Sequence, residues 1–469
     1  MAEITAVVIG GSIAGMCAAR VLSDVCARVT VIDRDEYPAG VGERPGVPQS
    51  RHVHALLAGG RRELERLFPG FDRLMLERGA LEVDFLRDFA TLRAAGWWPP
   101  VPSGFTTLFA SRALVESILR ELLRARANVE LVERHAVEDL ITVGDGAPRV
   151  TGVRVRARAG GAVETVAADL VVDASGRSSH APAWLGALGL EPPVDTVVDA
   201  FAGYSTRWYQ APPLDARPAG WWWKGVWIDP EGPEDHRAAV LFPIEHERWI
   251  VTIAGLARHY PPADEAGFSA ALADLRSPLL AEAVRLATPI SGVVCNRQMA
   301  NRFRHYERWE VRLPGFVAIG DAVCSFNPVY GQGMTTAGLA AGILAGCLAR
   351  HGPTDPELPR RFFEAQAAFL QEPWNMATGA DFRYPTTAGA RPLVMPLFNA
   401  YMDALFASSA DDPVVRRLLG EVIHMLRPAS SLFGPTIVAR VALGTVRQRW
   451  SGRGTPAPIP AWPPPPAQG

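Results

Sequence analysis

The chain has a single lysine, Lys224, in 469 residues, and arginine carries the rest of its 47 positive charges. Set against 49 acidic residues, this leaves a formal net charge of −2, so no global field recruits nucleic acid or an anionic membrane surface. Cysteine is scarce: the five (Cys17, Cys26, Cys295, Cys324, Cys347) include no Cys-x-x-Cys pair and no Cys/His spacing for zinc. That argues against a disulfide framework and makes a reducing cytoplasm the expected location. Long apolar runs are also missing. The longest small-apolar stretch, roughly Thr335–Ala349, falls short of the ~20 residues that span a bilayer. The N-terminus is apolar, but Glu3 sits where a signal peptide carries positive charge. What remains reads as globular: 48% hydrophobic and 20% charged residues, over more length than one average domain of roughly 100–200 residues needs.

The pattern along the chain is α/β. Residues 4–9 form a continuous β-prone run that ends in Gly10-Gly11-Ser12-Ile13-Ala14-Gly15. A helical pattern follows through Met16, Ala19 and Leu22, then a second buried strand over 28–33. Strand, glycine turn, helix and strand within about 30 residues predict a βαβ unit with a parallel pair. Residues 111–126 predict an amphipathic helix with Ser111 as N-cap. Short strands are expected over 129–132, 150–158, 170–173 and 316–319. Residues 191–260, rich in Trp, Pro and alternating β-formers, predict a second, mostly antiparallel sheet that includes 237–242 and 249–253. From 360 to 450 the pattern is helical with proline breaks, and the last fifteen residues, with seven prolines, read as a disordered tail. No internal repeat is visible.

The glycine turn is a dinucleotide fingerprint with one substitution, its three glycine places being Gly10, Ser12 and Gly15. Gly10 makes the tight turn, small Ser12 permits close approach to a diphosphate at the helix N-terminus, and Gly15 lets helix and strand pack closely. Asp33, at the end of the second strand, can accept hydrogen bonds from ribose hydroxyls. The competing reading is an ordinary βα turn. Arg34 beside Asp33 suggests a 2′-phosphate, but two later motifs point to another dinucleotide. Residues 169–177 place Asp173 and Gly176 after a buried strand, and residues 315–335 combine a strand, Gly320-Asp321, and Pro328 ahead of Gly331-x-Gly333.

With these three motifs in this order, residues 4–350 resemble the single-component FAD monooxygenases of the para-hydroxybenzoate hydroxylase type. The resemblance implies a Rossmann-like FAD-binding domain (1–75, 105–190 and 290–350). An interleaved, mostly antiparallel substrate domain (76–104 and 191–289), a C-terminal helical segment (351–450) and a Pro-rich tail (455–469) complete the expected organisation. It implies noncovalent FAD, NAD(P)H as a visiting reductant, and O₂ as co-substrate. The implied cofactor contacts are Gly10, Gly11, Ser12, Ala14 and Gly15, with Asp33 and Arg34, then Arg51, Arg112, Val137, Asp173 and Gly176, and finally Gly320, Asp321, Gly331, Gly333 and Met334. The middle motif departs from the family, reading Asp173-Ala-Ser-Gly176 where many members have Asp directly before Gly.

The residues carry their own physical readings. Asp321 can bind a ribityl hydroxyl or cap a helix. The amides of Gly331 and Gly333, at a helix start, can stabilise negative charge on a reduced flavin. Pro328 and Tyr330 would wall the reacting face. Gly338, Gly342 and Gly346, spaced by four, suit close helix packing. Arg112 reads without the resemblance as a solvated helix-start arginine.

A narrower resemblance lies in Arg44-Pro-Gly-Val-Pro-Gln-Ser-Arg51-His52-Val-His54 and in Asn327-Pro328-Val329-Tyr330-Gly331, which are similar to the flavin epoxidases of polyether antibiotic biosynthesis, such as the lasalocid and monensin epoxidases. It implies oxygen transfer from a flavin C4a-hydroperoxide to an alkene of a large apolar, polyketide-like substrate, free or tethered to a carrier protein. Ring hydroxylation of a polycyclic natural product and reduction of the geranylgeranyl-reductase type are the alternatives. No metal is expected, since His52 and His54 lack a third ligand. The cluster Trp221-Trp222-Trp223-Lys224-Gly-Val-Trp227 suits either an apolar substrate pocket, with Trp223 and Trp227 as lining candidates, or sheet packing. Its likeness to the Trp-x-Trp-x-Ile-Pro motif of flavin halogenases is slight. No Ile-Pro follows, and Lys224 lies far from where those enzymes place their lysine. Epoxidation needs no protein base, and no acid–base constellation stands out in the chain; phenol hydroxylation would profit from one.

Overall fold

The structure, a computed structural model, describes residues 3–144, 146, 148–230, 234–297, 299–450, 460 and 462–465. Most of the Pro-rich tail therefore lies outside the described residues. Of the part that is described, Pro460 accepts a hydrogen bond at its carbonyl from Trp97 Nε1 at 2.8 Å.

The strands that build the molecule are, in chain order, β1 (Thr5–Ile9), β2 (Arg28–Ile32), β3 (Phe89–Arg93), β4 (Val129–Val132), β5 (Leu170–Asp173), β6 (Gly203–Gln210), β7 (Gly225–Ile228), β8 (Arg237–Ile244), β9 (Arg248–Gly255), β10 (Asn301–Arg304) and β11 (Phe316–Ala318). The principal helices are α1 (Ile13–Leu22), α2 (Ala58–Leu67), α3 (Arg112–Arg124), α4 (Glu265–Ala273), α5 (Leu279–Leu286), α6 (Gly333–His351), α7 (Leu358–Asp381), α8 (Met395–Asp411), α9 (Pro413–Ile423) and α10 (Pro435–Trp450), and two short ones span Phe71–Glu77 and Ala181–Ala187.

Five strands form a wholly parallel sheet in the order β11-β5-β1-β2-β4. Its inner strands are apolar on both faces, as helices on each side require: Val7, Val8, Val171 and Val172 are buried in one core with Leu22, Ile118 and Leu344. α6 is apolar and 19 residues long, enough by length and composition to cross a bilayer, yet it packs on α1, α2 and α7 inside this core. The second sheet has eight strands, running β6-β9-β8-β7-β3 at its centre. Its pairs are antiparallel except β7 with β3, which is parallel. Residues 294–296, placed with the first domain on sequence grounds, pair with β6 and so extend this second sheet.

Each face of the second sheet has its own cover. Val226 and Ile228 pack under α4 and α5, while Trp227 between them joins Phe85, Phe89, Phe242 and the C-terminal helices on the opposite face. This is the strand period of two at work. Trp223, expected to line a pocket beside Trp227, does not. It precedes β7, turns to the α4/α5 side and packs against Trp221 and Trp249 at ring-centroid distances of 4.9 and 6.2 Å. For Trp221–Trp223, sheet packing is what the chain uses.

The glycine turn between β1 and α1 has no room for side chains. Gly10 has φ +98°, and a Cβ on Gly15 would sit 1.8 Å from the Gly10 carbonyl oxygen. Gly15→Ala is expected to destabilise the protein by about 1–3 kcal/mol, the usual cost of overpacking. Gly186→Ala, on an exposed helix position with open space around it, should be neutral or stabilising by up to about 1 kcal/mol. Chemical denaturation of the two variants checks the contrast, and equal effects would remove the packing argument.

Candidate functional site

Two cavities meet the motifs. The first encloses about 750 Å³ up to its mouth and is lined by Gly10–Ser12, Asp33, Arg34, Arg44, Val137, Ala174, Ser175 and Trp184, among others. The second, about 860 Å³, lies between the second sheet, the Pro328–Gly331 loop and the end of α9. Its walls are mostly apolar: Leu56, Phe85, Phe109, Trp227, Val240, Phe242, Val329 and Ile423.

At the first cavity, α1 begins at Ser12, whose side chain caps nothing and donates instead to Glu116 Oε1 at 2.9 Å. The first helical hydrogen bond runs from Met16 N to Ser12 O, so the first-turn amides at Ile13–Gly15 stay free for an anion. No acidic residue stands in that turn. The Gly11 amide is already used, donating to Asp33 Oδ2 at 2.8 Å. Arg44 Nη1 reaches the same oxygen at 2.8 Å and Asp35 Oδ2 at 3.1 Å, while its Nε reaches Glu116 Oε2 at 3.3 Å.

Sequence reasoning missed both Arg44, as a site residue, and Glu116. The signal for Glu116 was its place among Leu114, Val115, Ile118 and Leu119 on the buried side of α3. Glu116 is buried, which alone would raise its pKa, but Arg112 and Arg44 hold it below the usual carboxylate range.

Arg112 is not the solvated arginine that its position alone suggests. It donates to Ser12 Oγ at 2.8 Å and to Glu116 Oε1 at 3.0 Å, and its Nη1 lies 3.3 Å from His54 Nε2. It thus connects the glycine turn to the 52–57 segment that lines the second cavity. Because arginine only donates, His54 Nε2 accepts, and His54 Nδ1 carries the proton it gives to the His52 carbonyl at 3.0 Å. His52 bonds Thr206 Oγ1 through Nδ1 at 2.8 Å. Burial lowers both histidines, to about 4 for His52 and about 3 for His54, with Arg51 and Arg112 respectively adding to the effect.

Arg51 itself points away. It pairs with Glu43 at 2.8 Å, is more than half exposed, and lines neither cavity. Of the two arginines in this segment, it is Arg44 that lines the first cavity. Asp173 is also turned inward. It is fully buried and accepts from Ser175 N at 3.0 Å and from the Ser175 and Ser179 hydroxyls, so it shapes the 174–179 loop instead of facing the cavity. Gly176, with φ +84°, serves the same loop, and Ala174, Ser175 and Ser178 are its residues that line the cavity.

The third motif closes on the first: Gly320, at φ +66°, has Ala14 packed where a Cβ would stand. Asp321 caps no helix. Its carboxylate has no hydrogen-bond partner among the described residues, lies half-buried, and faces the start of α6. Burial pushes its pKa up against the pull of Arg177 and Arg112. The Gly331 amide, expected to be open, is spent on the Pro328 carbonyl at 3.0 Å. The first-turn amides of α6 at Gly333, Met334 and Thr335 precede its first bond, from Thr336 N to Gln332 O, and are the open ones. Lys224 pairs with Asp88 at 2.9 Å and lines neither cavity.

An unpaired carboxylate, two uncapped helix starts and a glycine cradle suit a flavin dinucleotide. Behind the second cavity, Asp381 is fully buried at the end of α7 and accepts from Tyr330 Oη at 2.5 Å, Asn301 Nδ2 at 2.6 Å and Asn327 Nδ2 at 3.3 Å.

Asp321→Ala should weaken FAD binding about ten- to a hundredfold, as expected for losing charge-assisted hydrogen bonds of roughly 1.5–3 kcal/mol. Titration of a folded apo-variant with FAD measures this, and unchanged affinity would leave Asp321 without a cofactor role. Asp381 gives a pH prediction. Burial raises its pKa from 3.8 to about 7 despite its three donors. A raised acid stabilises the fold when protonated, and that contribution is lost as pH rises. The unfolding free energy of wild type minus that of Asp381→Asn should therefore fall between about pH 4 and pH 7 and level off above. A rise over that window would show that Asp381 folds ionised.

Residues 6–183 match the family model described as FAD dependent oxidoreductase. Protein Rv3254 of Mycobacterium tuberculosis is 33% identical over 463 residues, covering 95% of each chain. Among solved structures, the flavin-dependent brominase Bmp2 superposes with a TM-score of 0.65 at 16% identity, over 96% of this chain and 99% of that one. The p-nitrophenol 4-monooxygenase PnpA of Pseudomonas putida DLL-E4 gives 0.61 at 18% identity, over 91% and 99%. At such identities these two show a common fold and nothing finer. The family match lies over the glycine turn and the strands that build the first cavity, and with the near full-length likeness to Rv3254 it places the protein among the FAD-dependent oxidoreductases.

Proposed function

We propose that the protein is an NAD(P)H- and O₂-dependent monooxygenase that epoxidises an alkene of a large, apolar, polyketide-like substrate. The observation that carries this reading is the second cavity: a mostly apolar pocket, about 860 Å³ counting the open space at its mouth, bordered by the Pro328–Gly331 loop of the third motif. FAD, when bound, would supply the redox chemistry, in which two electrons come from NAD(P)H, one atom of O₂ goes to the substrate and the other leaves as water. The chain holds, orients and shields. Asp33 and the first-turn amides of α1 would hold the ribose and diphosphate. Asp321 and the open amides of α6 would hold the ribityl and flavin end. Phe85, Phe109, Trp227 and Phe242 exclude water and bind substrate through buried apolar area, at about 25 cal/mol per Å² before ordering costs. Among the polar side chains that line this cavity, His52 and Thr252 are both tied to Thr206, and the tyrosine and tryptophan polar atoms also have protein partners. Among the described residues the lining holds no carboxylate, lysine or arginine, and burial lowers its two histidines, His52 to about 4 and His424 to about 3, which makes them weak bases and suits a reaction that needs none.

Ring hydroxylation of a polycyclic phenol is the second reading, favoured by the Tyr330–Asp381 pair. A carboxylate one hydrogen bond behind a cavity tyrosine offers a phenolic proton somewhere to go. Turnover of FAD-loaded enzyme with NADH or NADPH and ¹⁸O₂, across apolar alkenes and polycyclic phenols, tests both. The expected outcome is labelled epoxide with substrate-stimulated NAD(P)H oxidation. Labelled product from phenols alone moves the assignment to the second reading, and a saturated, unlabelled product makes the enzyme a reductase.

A further inference from the structure

His424 is the first residue after α9, and the sequence analysis did not single it out. It is 2% exposed, lines the second cavity, and packs between Phe85 and Phe105 with ring centroids 4.6 and 5.0 Å away. Its Nδ1 accepts from the backbone amide of Ala58, at the start of α2, at 3.2 Å. A backbone amide only donates, so this bond leaves Nδ1 without a proton and puts the proton of the neutral ring on Nε2. Burial supports that state by pushing the imidazole down to about 3.

His424 Nε2 is buried and has no hydrogen-bond partner among the described residues. Among the described residues it is the one fully buried side-chain polar atom of this cavity's lining in that condition: Tyr204, Trp227, Thr252 and Tyr330 are bonded within the protein, and His52 is bonded through Nδ1. A buried N–H without an acceptor is costly, and the chain pays that cost at a position fixed by a backbone bond and two aromatic rings.

We infer that His424 Nε2–H is a substrate-anchoring donor, and that the apolar ligand of this cavity carries one hydrogen-bond-accepting oxygen, a carbonyl, ether or hydroxyl, which meets it. This rests on reading the second cavity as the substrate site. It narrows the substrate class from apolar hydrocarbon to apolar compound with a fixed oxygen, and gives the otherwise greasy chamber a way to set orientation. A cavity with a donor fixed in place binds the oxygen-bearing compound better than the hydrocarbon of the same shape, because the hydrocarbon leaves that donor unpaired.

The test is a binding measurement that needs no turnover. FAD-loaded protein is titrated with 9-fluorenone and with fluorene, rigid and nearly isosteric probes that differ by the carbonyl oxygen. The infrared carbonyl stretch of bound 9-fluorenone is recorded alongside. Wild type is expected to prefer the ketone on the order of tenfold, with the stretch shifted down by a hydrogen bond. In His424→Phe the preference should fall to near unity and the stretch should return to its position in an apolar solvent. Equal affinities in wild type, or an unshifted stretch, would overturn the inference even if the variant fails to fold. So would a ketone preference retained by a folded His424→Phe protein. Because the readout is binding, these outcomes are distinct from a failure of oxygen transfer, which would touch the proposed reaction and leave the anchor standing.

Discussion

A buried carboxylate between two guanidinium groups holds the site together. Glu116 takes Arg44 on one oxygen and Arg112, with Ser12, on the other. Taking one acid and two bases out of water costs several kcal/mol per ion, and the cost is offset only because nearly every donor has an acceptor. Arg44 spends what remains of its charge on Asp33 and Asp35; Arg112 spends its own on Ser12 and His54. The network therefore fixes, in one set of bonds, the acidic end of β2, the glycine turn, the start of α3 and the segment entering the second cavity. Such an arrangement defines geometry more than it adds stability. Three hydrophobic residues could fill the same space at less expense, but they could not fix the glycine turn relative to the wall of the second cavity.

Around that network the two sheets divide the work. The parallel sheet ends its strands at the glycine turn and at Gly320-Asp321, so both motifs open on the same edge. The antiparallel sheet turns one face to α4 and α5 and the other to the C-terminal helices, and the cavity is the space left on the second face. Apolar residues do most of the lining because there is nothing polar to satisfy there except what arrives.

Much of this was legible in the sequence, and the limits were physical. The glycine turn, Asp33 and Gly320-Asp321 were readable because each is a local pattern: backbone conformation and strand ends are set within a few residues. The parallel strands were readable as unbroken apolar runs. Arg112 was singled out through resemblance, while its protein partners were invisible, since Ser12, His54 and Glu116 come together only through packing. Arg51 and Arg44 differ by seven positions in one loop, and nothing in composition says which of them turns inward. Trp223 and Trp227 share the parity expected of strand neighbours, but the strand starts between them, which sends them to opposite faces. His424 and Asp381 belong to helices whose sequence pattern reports a buried stripe and cannot report what an isolated polar residue in that stripe will face.

The order in which the parallel sheet takes its strands has a consequence for how the molecule comes into being. β1 lies between β2 and β5, and β5 between β1 and β11, so one side of the sheet can be laid down early while the other waits for residues 170–173 and then 316–318. The second cavity waits longer still, for Ile423 and His424. Contacts of such long sequence separation fold slowly, and during synthesis they leave apolar edges uncovered for the time it takes to make some hundreds of residues. On the ribosome, then, the β1–β2 pair and its glycine turn are made first and the second cavity is closed last, so a nascent chain keeps apolar surface uncovered until its final helices emerge.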